Sequence, residues 1–373
     1  MTRVIILMTL SLTLAMSASA QPRKFKKITQ YIEQATQKDL AGVVVYINDP
    51  KLGKWTGTAG YADVEHQVPI SKNDIFSLGS IGKMYNAVAA MKLVEEGRLY
   101  LDDKISRYLP TDIIEHLPAA QEVTIRHLLG HRTGFVNYEH DPELNHLYIT
   151  GRLRLDTLSK REALERYVFG KPAEGKPGEA YHYSSTNYLL LAMIMDTIVP
   201  EGHTQYLRSL LQQYRFHNTY YRETPPGDTL NYYGDPDTDG RTENLTDETL
   251  ETTNWFTGDD GIYAPIEEAA RFLEQLMQGK ILKEKTLKEM IRYEDKKDKD
   301  FALGMTTDRG FPYKILLGHS GRGIGMTTDL YYFPKQQRTV AIFCNRGTRG
   351  SLPEVKKTYR KMREKIVKKL FLF

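Results

Sequence analysis

The sequence predicts an α/β fold in which an antiparallel sheet, completed by both chain ends and flanked by helices, carries an inserted and mostly helical lobe. Strand-like segments lie near both ends of the chain, whereas the long stretch between them has helical periodicity. Strands this far apart share one sheet only if the chain returns to it, and helices must cover the faces of that sheet. We therefore expect an α/β part at about 21–95 and 255–373 and a helical lobe at about 96–254.

The first part of the chain predicts a helix, a hairpin and a second, buried helix. Three segments have the periodicity of a helix and of two strands joined by a turn: 28–37, 42–47 and 55–61. Residues 80–96 are rich in Ala, Met and Leu, and Gly97 can close a helix as its C-cap. Ser80 should therefore stand at the beginning of a mostly buried helix.

The middle of the chain, at about 101–199, has a helical pattern. Ser159 and Glu162 have the spacing of a capping box, which predicts that a helix begins there. Residues 188–195 are apolar on every side, but this run is only about half as long as a bilayer requires. We therefore expect a helix buried among its neighbours rather than one inserted in a membrane.

The chain returns to strands near its end. Pro265 and Gly279 bracket an amphipathic helix, and two strand-like segments follow at 326–333 and 338–345. A final helix from Glu354 onward has one apolar face and many Lys and Arg residues elsewhere. We expect that helix to pack on the sheet with its basic side in solvent, rather than to lie on a membrane surface.

The composition is that of a globular protein and excludes several classes. The chain has 373 residues, of which 40% are hydrophobic and 26% charged, so a fibrous or disordered protein is disfavoured. A net charge of +4 is too small to favour nucleic acid as a partner. The single cysteine, Cys344, cannot form an internal disulfide, and it follows the apolar run 340–343, which predicts a buried and unreactive thiol.

The first twenty residues predict export. Arg3 precedes an apolar stretch at 4–16, and residues 18–20, Ala-Ser-Ala, supply the small residues of a cleavage site. This pattern predicts a signal peptide at 1–20, a mature chain that begins at Gln21, and a periplasmic or secreted location. An uncleaved membrane anchor is the alternative, although the apolar stretch is shorter than the roughly 20 residues of a spanning helix.

Ser80 and Lys83 are the first candidates for chemistry. Residues three apart on a helix share a face, so the lysine amine should lie near the serine hydroxyl. A serine needs a base, and a lysine can be that base only when desolvation or a neighbouring cation lowers its pKa toward neutrality. Free N–H groups at the start of the helix would also stabilise an oxyanion formed on a carbonyl that Ser80 attacks.

Two other segments resemble catalytic or binding motifs but lack residues that those motifs require. Residues 79–83 look like half of a phosphate-binding loop, but Ser77 and Met84 stand where that loop needs Gly and Ser or Thr. Residues 318–321 begin like a nucleophile elbow, but Arg322 stands where the final Gly belongs. Neither a nucleotide site nor an elbow-type hydrolase is therefore favoured.

An acidic cluster opens like a calcium-binding loop. Asp235, Asp237 and Asp239 alternate as such a loop requires, but Thr246 stands at the twelfth position and Pro236 lies inside the segment. A surface acidic turn is the favoured interpretation. The sequence predicts neither a metal nor a cofactor.

Short blocks of sequence carry a resemblance to a known family. They follow one another over nearly all of the mature chain: 76–84, 93–99, 101–103, 124–129, 131–134, 177–178, 183–188 and 318–321. In residue type and order they resemble the serine beta-lactamase-related family of S-x-x-K hydrolases. That family contains class C beta-lactamases, D-alanyl-D-alanine carboxypeptidases and related esterases. The resemblance implies a beta-lactamase/transpeptidase-like fold.

The resemblance also implies roles for three side chains. Ser80 would form the acyl-enzyme, Lys83 would help to deprotonate it, and Tyr183 would relay protons between the nucleophile and the leaving group. A tyrosine, with a pKa near 10, can do this only if a cation such as Lys83 lowers that pKa or if the proton moves in a concerted step.

Further positions would bind the substrate by the same resemblance: His319, Ser320, Gly321, Arg322, Ser185 and Asn187. The backbone N–H groups of Ser80 and Arg322 would form the oxyanion hole. Ser185 stands where the family usually has Asn, so a shorter hydroxyl replaces an amide, and Asn187 could partly compensate. His319 stands where typical beta-lactamases have Lys, as it does in several peptidases and esterases of the family.

These observations predict an exported serine hydrolase that acts on D-amino-acid peptides, in the manner of a D-alanyl-D-alanine carboxypeptidase, or on small esters. Its partners would be small-molecule or peptide substrates, cell-wall-derived ones included, with beta-lactams as acylating inhibitors. A class C-like beta-lactamase is the first alternative. A non-catalytic scaffold protein of the same fold is the second, because a fold does not imply an activity.

Overall fold

The structure is a computed structural model, in which residues 23–150, 152–153, 158–227, 230–255, 258–292, 301–306 and 316–371 are described. The predicted signal peptide at 1–20 and the start of the mature chain at Gln21 lie outside these residues, so both stay predictions. Among the helices of the described ranges, none combines the length and the low polarity that crossing a bilayer requires.

Helices and strands follow one another along the described ranges. The helices are α1 (Arg23–Thr36), α2 (Gly82–Glu95), α3 (Thr111–Glu115), α4 (Ile125–Leu129), α5 (Pro142–Ile149), α6 (Lys160–Tyr167), α7 (Thr186–Ile198), α8 (Gly202–Gln213), α9 (Thr246–Trp255), α10 (Ile266–Met277), α11 (Glu284–Met290) and α12 (Pro353–Phe371). The strands are β1 (Gly42–Asp49), β2 (Gly53–Asp63), β3 (Val68–Pro69), β4 (Ile75–Ser77), β5 (Tyr220–Tyr221), β6 (Tyr233–Gly234), β7 (Glu243–Asn244), β8 (Ile262–Pro265), β9 (Phe301–Ala302), β10 (Met305–Thr306), β11 (Leu317–Arg322), β12 (Thr327–Phe333) and β13 (Arg338–Cys344).

The main sheet is closed by the two ends of the chain. Its order is β3-β2-β1-β13-β12-β11-β10-β9, and its pairings are antiparallel. The first strand pairs with the last, with Val43 opposite Cys344 and Asn48 opposite Thr339. The predicted antiparallel sheet completed by both termini is therefore confirmed. The proposed limits of the helical lobe stay predictions.

Alternate residues of β1 pack into two different cores. Val44 and Tyr46 contact the larger core, which contains α2, α7 and α10, whereas Val43, Val45 and Ile47 contact a smaller core beneath α1 and α12. Successive side chains of a strand point to opposite faces, so a sheet covered on both sides must be apolar on both. This accounts for the continuous apolar sequence of the strand.

The C-terminal helix packs as predicted. The apolar residues along one face of α12 are buried in the smaller core: Val355, Tyr359, Met362, Ile366 and Leu370. Lysines on its other sides, such as Lys357 and Lys361, are exposed. Cys344 is buried in the same core, and burial raises the pKa of its thiol to about 12, so the group is a protonated thiol at neutral pH.

The segment before α2 differs from a simple helix start. A 3₁₀ turn spans Gly79–Ile81, and α2 begins only at Gly82. Gly79 has φ of +58°, a conformation that favours glycine. A Cβ on Gly82 would lie 2.7 Å from the backbone oxygen of Asp260, closer than such atoms approach. Ser80 thus sits in a tight turn pressed against a neighbouring segment, just ahead of the buried helix.

Candidate active site

Ser80 and Lys83 lie together at the start of α2. The Lys83 ammonium donates a hydrogen bond to Ser80 Oγ over 3.0 Å and a second to the backbone carbonyl of Asp259 over 3.2 Å. Lys83 is fully buried, whereas Ser80 is only partly buried. A substrate can therefore reach the hydroxyl, while the amine beneath it is shielded from water.

Tyr183 completes the group from a distant part of the chain. Its phenol lies beside Lys83 and interacts electrostatically with the ammonium, and Lys83 Nζ lies 5.1 Å from the centre of its ring. The ring packs on His131, with ring centres 4.4 Å apart, and His131 Nδ1 accepts a hydrogen bond from the Ser184 N–H over 3.1 Å. The buried histidine thereby holds the segment that presents the phenol.

Strand β11 forms another wall of the site. Thr328, on the neighbouring strand β12, donates its hydroxyl proton to the Leu78 carbonyl over 2.8 Å. A Cβ on Gly321 would lie 2.1 Å from that same oxygen, so β11 and the Ser80 turn touch backbone to backbone. His319 is buried, and the centre of its ring is 6.2 Å from that of Tyr183. β11 therefore lies beside Ser80, where the predicted oxyanion hole would be.

Gly321→Ala should damage the site through this close contact. The added methyl group forces β11 away from the Ser80 turn and so displaces any donor that β11 offers to an oxyanion. We expect the rate constant for covalent labelling of Ser80 to fall by about 10²-fold, the typical effect of losing one such donor. Thermal unfolding should show a loss of about 1–3 kcal/mol in stability, as in overpacked cores.

Gly323→Ala is the matched control for this prediction. A Cβ there would meet the flexible end of Met326 at 3.1 Å rather than a backbone atom, and we expect near-native labelling. Equal labelling rates in the two variants would contradict the importance of the close approach at Gly321.

A buried cluster of charged side chains lies behind Lys83. Asp259 Oδ2 is 3.6 Å from Lys83 Nζ, and the two side chains are 1% and 0% exposed. Glu139 accepts hydrogen bonds from Ser185 Oγ over 2.5 Å and from Arg349 over 2.6 Å. The site therefore contains two carboxyl groups and two cations, of which Lys83 and Asp259 are closed to water while Glu139 and Arg349 are partly exposed.

These carboxyl groups change what was expected of Lys83. Burial lowers the pKa of Lys83, but the Tyr183 oxygen and the nearby carboxylates together raise it above its ordinary value. From the sequence, the mostly buried helix was expected to offer the desolvation that lowers the pKa of this lysine toward neutrality. That prediction is wrong for the resting site, because distant segments bring acidic groups into the dry space. A proton must leave Lys83 before the amine can act as a base.

The two carboxyl groups differ from each other. Burial raises the pKa of Asp259, Lys83 opposes this, and Glu139 raises it further, to about 7. Burial also raises the pKa of Glu139, but Arg349 and Lys83 outweigh this and lower it to about 2. Glu139 is therefore ionised at neutral pH, and Asp259 is the group that exchanges a proton near neutrality.

The other titratable groups of the site are neutral. Burial raises the pKa of Tyr183 above its ordinary value, with Lys83 acting in the opposite direction, so the phenol is protonated at rest. Of the two predicted ways for Tyr183 to act, the concerted proton step agrees with this state. Burial and the Lys83 charge lower the pKa of His319 to about 3, so its imidazole is uncharged.

Two predicted substrate contacts, Asn187 and Ser185, are placed differently by the structure. Asn187 is fully buried, and its amide pairs with Thr133 over 2.6 Å and with His131 over 3.2 Å, so that contact is not available to a substrate. Ser185 is also fully buried and donates to Glu139. The packing of α7 turns both side chains inward, so neither replaces the usual amide.

The Arg322 side chain points away from the nucleophile. Its guanidinium pairs with Asp329 over 2.6 Å and stacks on Tyr359 of α12 at 5.5 Å, on the opposite face of the sheet. Only the backbone of Arg322 can therefore have the predicted role in an oxyanion hole. Ser320 and Gly321 stay with it on β11, beside the Ser80 turn.

Sequence analysis missed Glu139, Asp259 and Arg349. Glu139 lies just after the 131–134 block, and Asp259 belongs to an acidic pair between two glycines, which is a weak indication of a functional residue.

The predicted acidic turn at Asp235 is present, with its carboxylate accepting N–H groups of Asp239 and Gly240. Across the described ranges, no group of three or more His, Cys, Asp or Glu side chains is arranged to hold a metal ion.

Comparisons with known proteins agree on one group. The Beta-lactamase family model matches residues 28–362. Protein flp of Staphylococcus aureus (strain COL) is 28% identical over 167 residues, which are 44% of this chain and 32% of that protein. Penicillin-binding protein 4* of Bacillus subtilis (strain 168) is 27% identical over 310 residues, which are 77% of this chain and 64% of that protein. The chain thus spans less than two thirds of each of these curated relatives.

Solved structures share the fold. A D-stereospecific amidohydrolase from Streptomyces sp. superposes with a TM-score of 0.78 at 20% sequence identity, over 93% of this chain and 98% of that one. At this level of identity the likeness concerns the arrangement of helices and strands.

Proposed function

The chain belongs to the Beta-lactamase family, and from this membership we propose that it is a serine hydrolase that forms an acyl-enzyme at Ser80. The predicted family and the predicted fold class are thereby confirmed. The observation that carries the proposal is the meeting of three groups: Lys83 Nζ lies 3.0 Å from Ser80 Oγ and 5.1 Å from the centre of the Tyr183 ring.

The proposed reaction has two stages. Ser80 Oγ attacks the carbonyl carbon of the substrate, its proton passes to Lys83, and Tyr183 gives its own proton to the departing amine or alcohol and is reprotonated from Lys83. Water then attacks the acyl-enzyme, with the same groups moving its proton back to Ser80 Oγ. A carboxylic acid is released and the enzyme is regenerated.

We propose amides and peptides of D-amino acids, or small esters, as substrates. His319 is neutral where typical beta-lactamases carry a lysine, so the site lacks the cation that would pair with the carboxylate of a beta-lactam at that position. The fold shared with a protein named a D-stereospecific amidohydrolase also supports D-amides. Beta-lactams would then acylate Ser80 and be released slowly.

We also propose that the enzyme acts outside the cytoplasm, in the periplasm or after secretion. The support for this is the export pattern in the sequence of residues 1–20. Such a location would give access to cell-wall-derived peptides.

A substrate panel tests the proposal. The purified protein and its Ser80→Ala variant are assayed with D- and L-amino acid amides, a D-alanyl-D-alanine peptide, p-nitrophenyl esters and nitrocefin. We expect Ser80-dependent turnover of D-amides or esters, and with nitrocefin a lasting adduct at Ser80 but little turnover. Nitrocefin turnover faster than that of every amide and ester would instead favour the class C-like beta-lactamase. Absence of both turnover and adduct would favour the scaffold.

A further inference from the structure

Lys83 stands between Ser80 and Asp259. On one side its Nζ is 3.0 Å from Ser80 Oγ, and on the other it is 3.6 Å from Asp259 Oδ2 and 3.2 Å from the Asp259 backbone oxygen. The carboxylate and the lysine are both closed to water, with 1% and 0% of their side chains exposed. Besides Ser80 and Tyr183, Asp259 is therefore a group close enough to accept a proton from Lys83.

Asp259 is held in place from several elements. The Tyr138 phenol, in the 3₁₀ turn Tyr138–His140, donates to both carboxylate oxygens over 3.2 and 3.1 Å. Glu139, from the same turn, acts electrostatically on the carboxyl and accepts the hydroxyl proton of Ser185 over 2.5 Å. The geometry fixes one oxygen toward Lys83 and leaves the carboxyl no contact with solvent.

Besides the Tyr138 and Tyr221 phenols, ionisable carboxyl and amine groups face Asp259. They are Lys83 from α2, Glu139 from the 3₁₀ turn, and the adjacent Asp260. Arg349 pairs with Glu139 and keeps that carboxyl ionised. Burial and the neighbouring Asp259 raise the pKa of Asp260 well above its ordinary value.

We propose that Asp259 is a positioning residue of the hydrolase, which accepts a proton from Lys83 and so converts the ammonium into the amine that deprotonates Ser80. The proposal rests on the function proposed above and explains how a lysine that is cationic at rest can become a base.

The proton transfers balance. The Lys83 N–H bond breaks and an O–H bond forms on Asp259, which leaves a transient neutral amine and neutral acid closed to water. This pair is a minor state, because the pKa of Lys83 is above its ordinary value and that of Asp259 is about 7. The amine takes the proton of Ser80 as Oγ bonds to the substrate carbonyl carbon. The leaving group receives the Tyr183 proton, and Lys83 reprotonates Tyr183. Asp259 returns its proton to Lys83, so the charge of the group is restored.

The rate of acylation should depend on pH through the ionisation of Asp259. Asp259 can accept a proton only while it is ionised, and burial with the neighbouring Glu139 raises its pKa to about 7 despite Lys83. The rate of acylation should therefore fall as pH decreases through about 7. An ordinary aspartate would lose its charge only near pH 4.

Asp259→Asn tests this, with Asp260→Asn as the matched control. The control replaces the adjacent carboxyl by an amide and keeps the oxygen that accepts the Gly261 N–H at 2.8 Å. Rate constants for labelling Ser80 with a fluorophosphonate are measured from pH 5 to pH 10, together with thermal unfolding. We expect about a 10²-fold slower reaction for Asp259→Asn at neutral pH, with a rate that keeps rising into alkaline pH. The Asp260→Asn variant should keep the native profile.

Glu139→Gln is a second variant in case Asp259→Asn does not fold. Removing the Glu139 charge should lower the pKa of Asp259 and move the acid limb of the profile to lower pH. A native profile in folded Asp259→Asn, or an unmoved acid limb in folded Glu139→Gln, would overturn the role of Asp259 while Ser80 labelling persisted. Failure of the native protein to label at Ser80 would instead overturn the proposed function itself.

Discussion

Replacement of Ser80 by Ala should abolish covalent labelling by a fluorescent fluorophosphonate and by a fluorescent penicillin. The variant lacks the oxygen that would form the acyl bond, which is also the hydroxyl oxygen that lies 3.0 Å from Lys83 Nζ. For any substrate that the panel identifies, turnover should fall by about 10⁴-fold or more, as it does when a serine nucleophile is removed. Intact-protein mass spectrometry and gel fluorescence measure the adduct.

The fold of this variant should be close to native. The change removes one partly buried hydroxyl and one acceptor for Lys83, which costs about 1 kcal/mol. Ser106→Ala, in the 3₁₀ turn Ile105–Arg107, is a control for non-specific labelling and should react like the native chain. A full-strength adduct on folded Ser80→Ala protein would show that another residue is the nucleophile.

Lys83→Met should slow acylation by about 10³-fold. Methionine fills a similar volume in the fully buried position but has no proton to donate and no lone pair suited to accept one, so general acid–base assistance is lost. The rate constant for fluorophosphonate labelling, measured at fixed pH, gives the effect directly. A rate within a few-fold of native would mean that Ser80 is activated by some other group.

The same variant should lose stability as pH rises. Lys83 is the group that lowers the pKa of Asp259, so without it that pKa lies still further above the value in the unfolded chain. A carboxyl with a raised pKa in the folded state contributes its stability below its unfolded pKa of about 4 and loses it as pH rises through the folded pKa. The difference in Tm from the native chain should therefore widen between about pH 6 and pH 9.

The double variant Lys83→Met with Asp259→Asn provides the control for this pH effect. With no carboxyl at position 259, the pH-dependent part of the loss should disappear, and the two changes should be strongly non-additive. A Tm difference that stays constant with pH in Lys83→Met would contradict the assignment of Asp259 as the uncompensated buried acid.

Much of the fold follows from local patterns. The hairpin of β1 and β2, the strands β12 and β13 and the apolar face of α12 were predictable because alternation and helical periodicity are properties of neighbouring residues. The spacing of Ser80 and Lys83 likewise places both on one helical face, wherever that helix packs. The position of Tyr183 came only through resemblance, since it is 100 residues beyond Lys83.

The substrate-contact predictions show where local patterns end. Asn187 lies on α7 four residues after Tyr183, and the sequence does not state which side of that helix faces the nucleophile. Packing against α4 and His131 turned its amide into the interior. Arg322 follows the alternation of β11, and which face of that strand meets α12 was likewise settled by the assembled layers.

The sequence by itself determined the family, the secondary structure and the residue types able to perform acyl transfer. Tertiary structure alone decided the charge state of Lys83, because Asp259 lies 176 positions further along the chain and meets the lysine only in the folded state. A pKa depends on distances through space and on exclusion of water, and neither of these can be read from the sequence. For that reason the apolar sequence of α2 gave no sign of the buried carboxyl of Asp259, which lies beside Lys83.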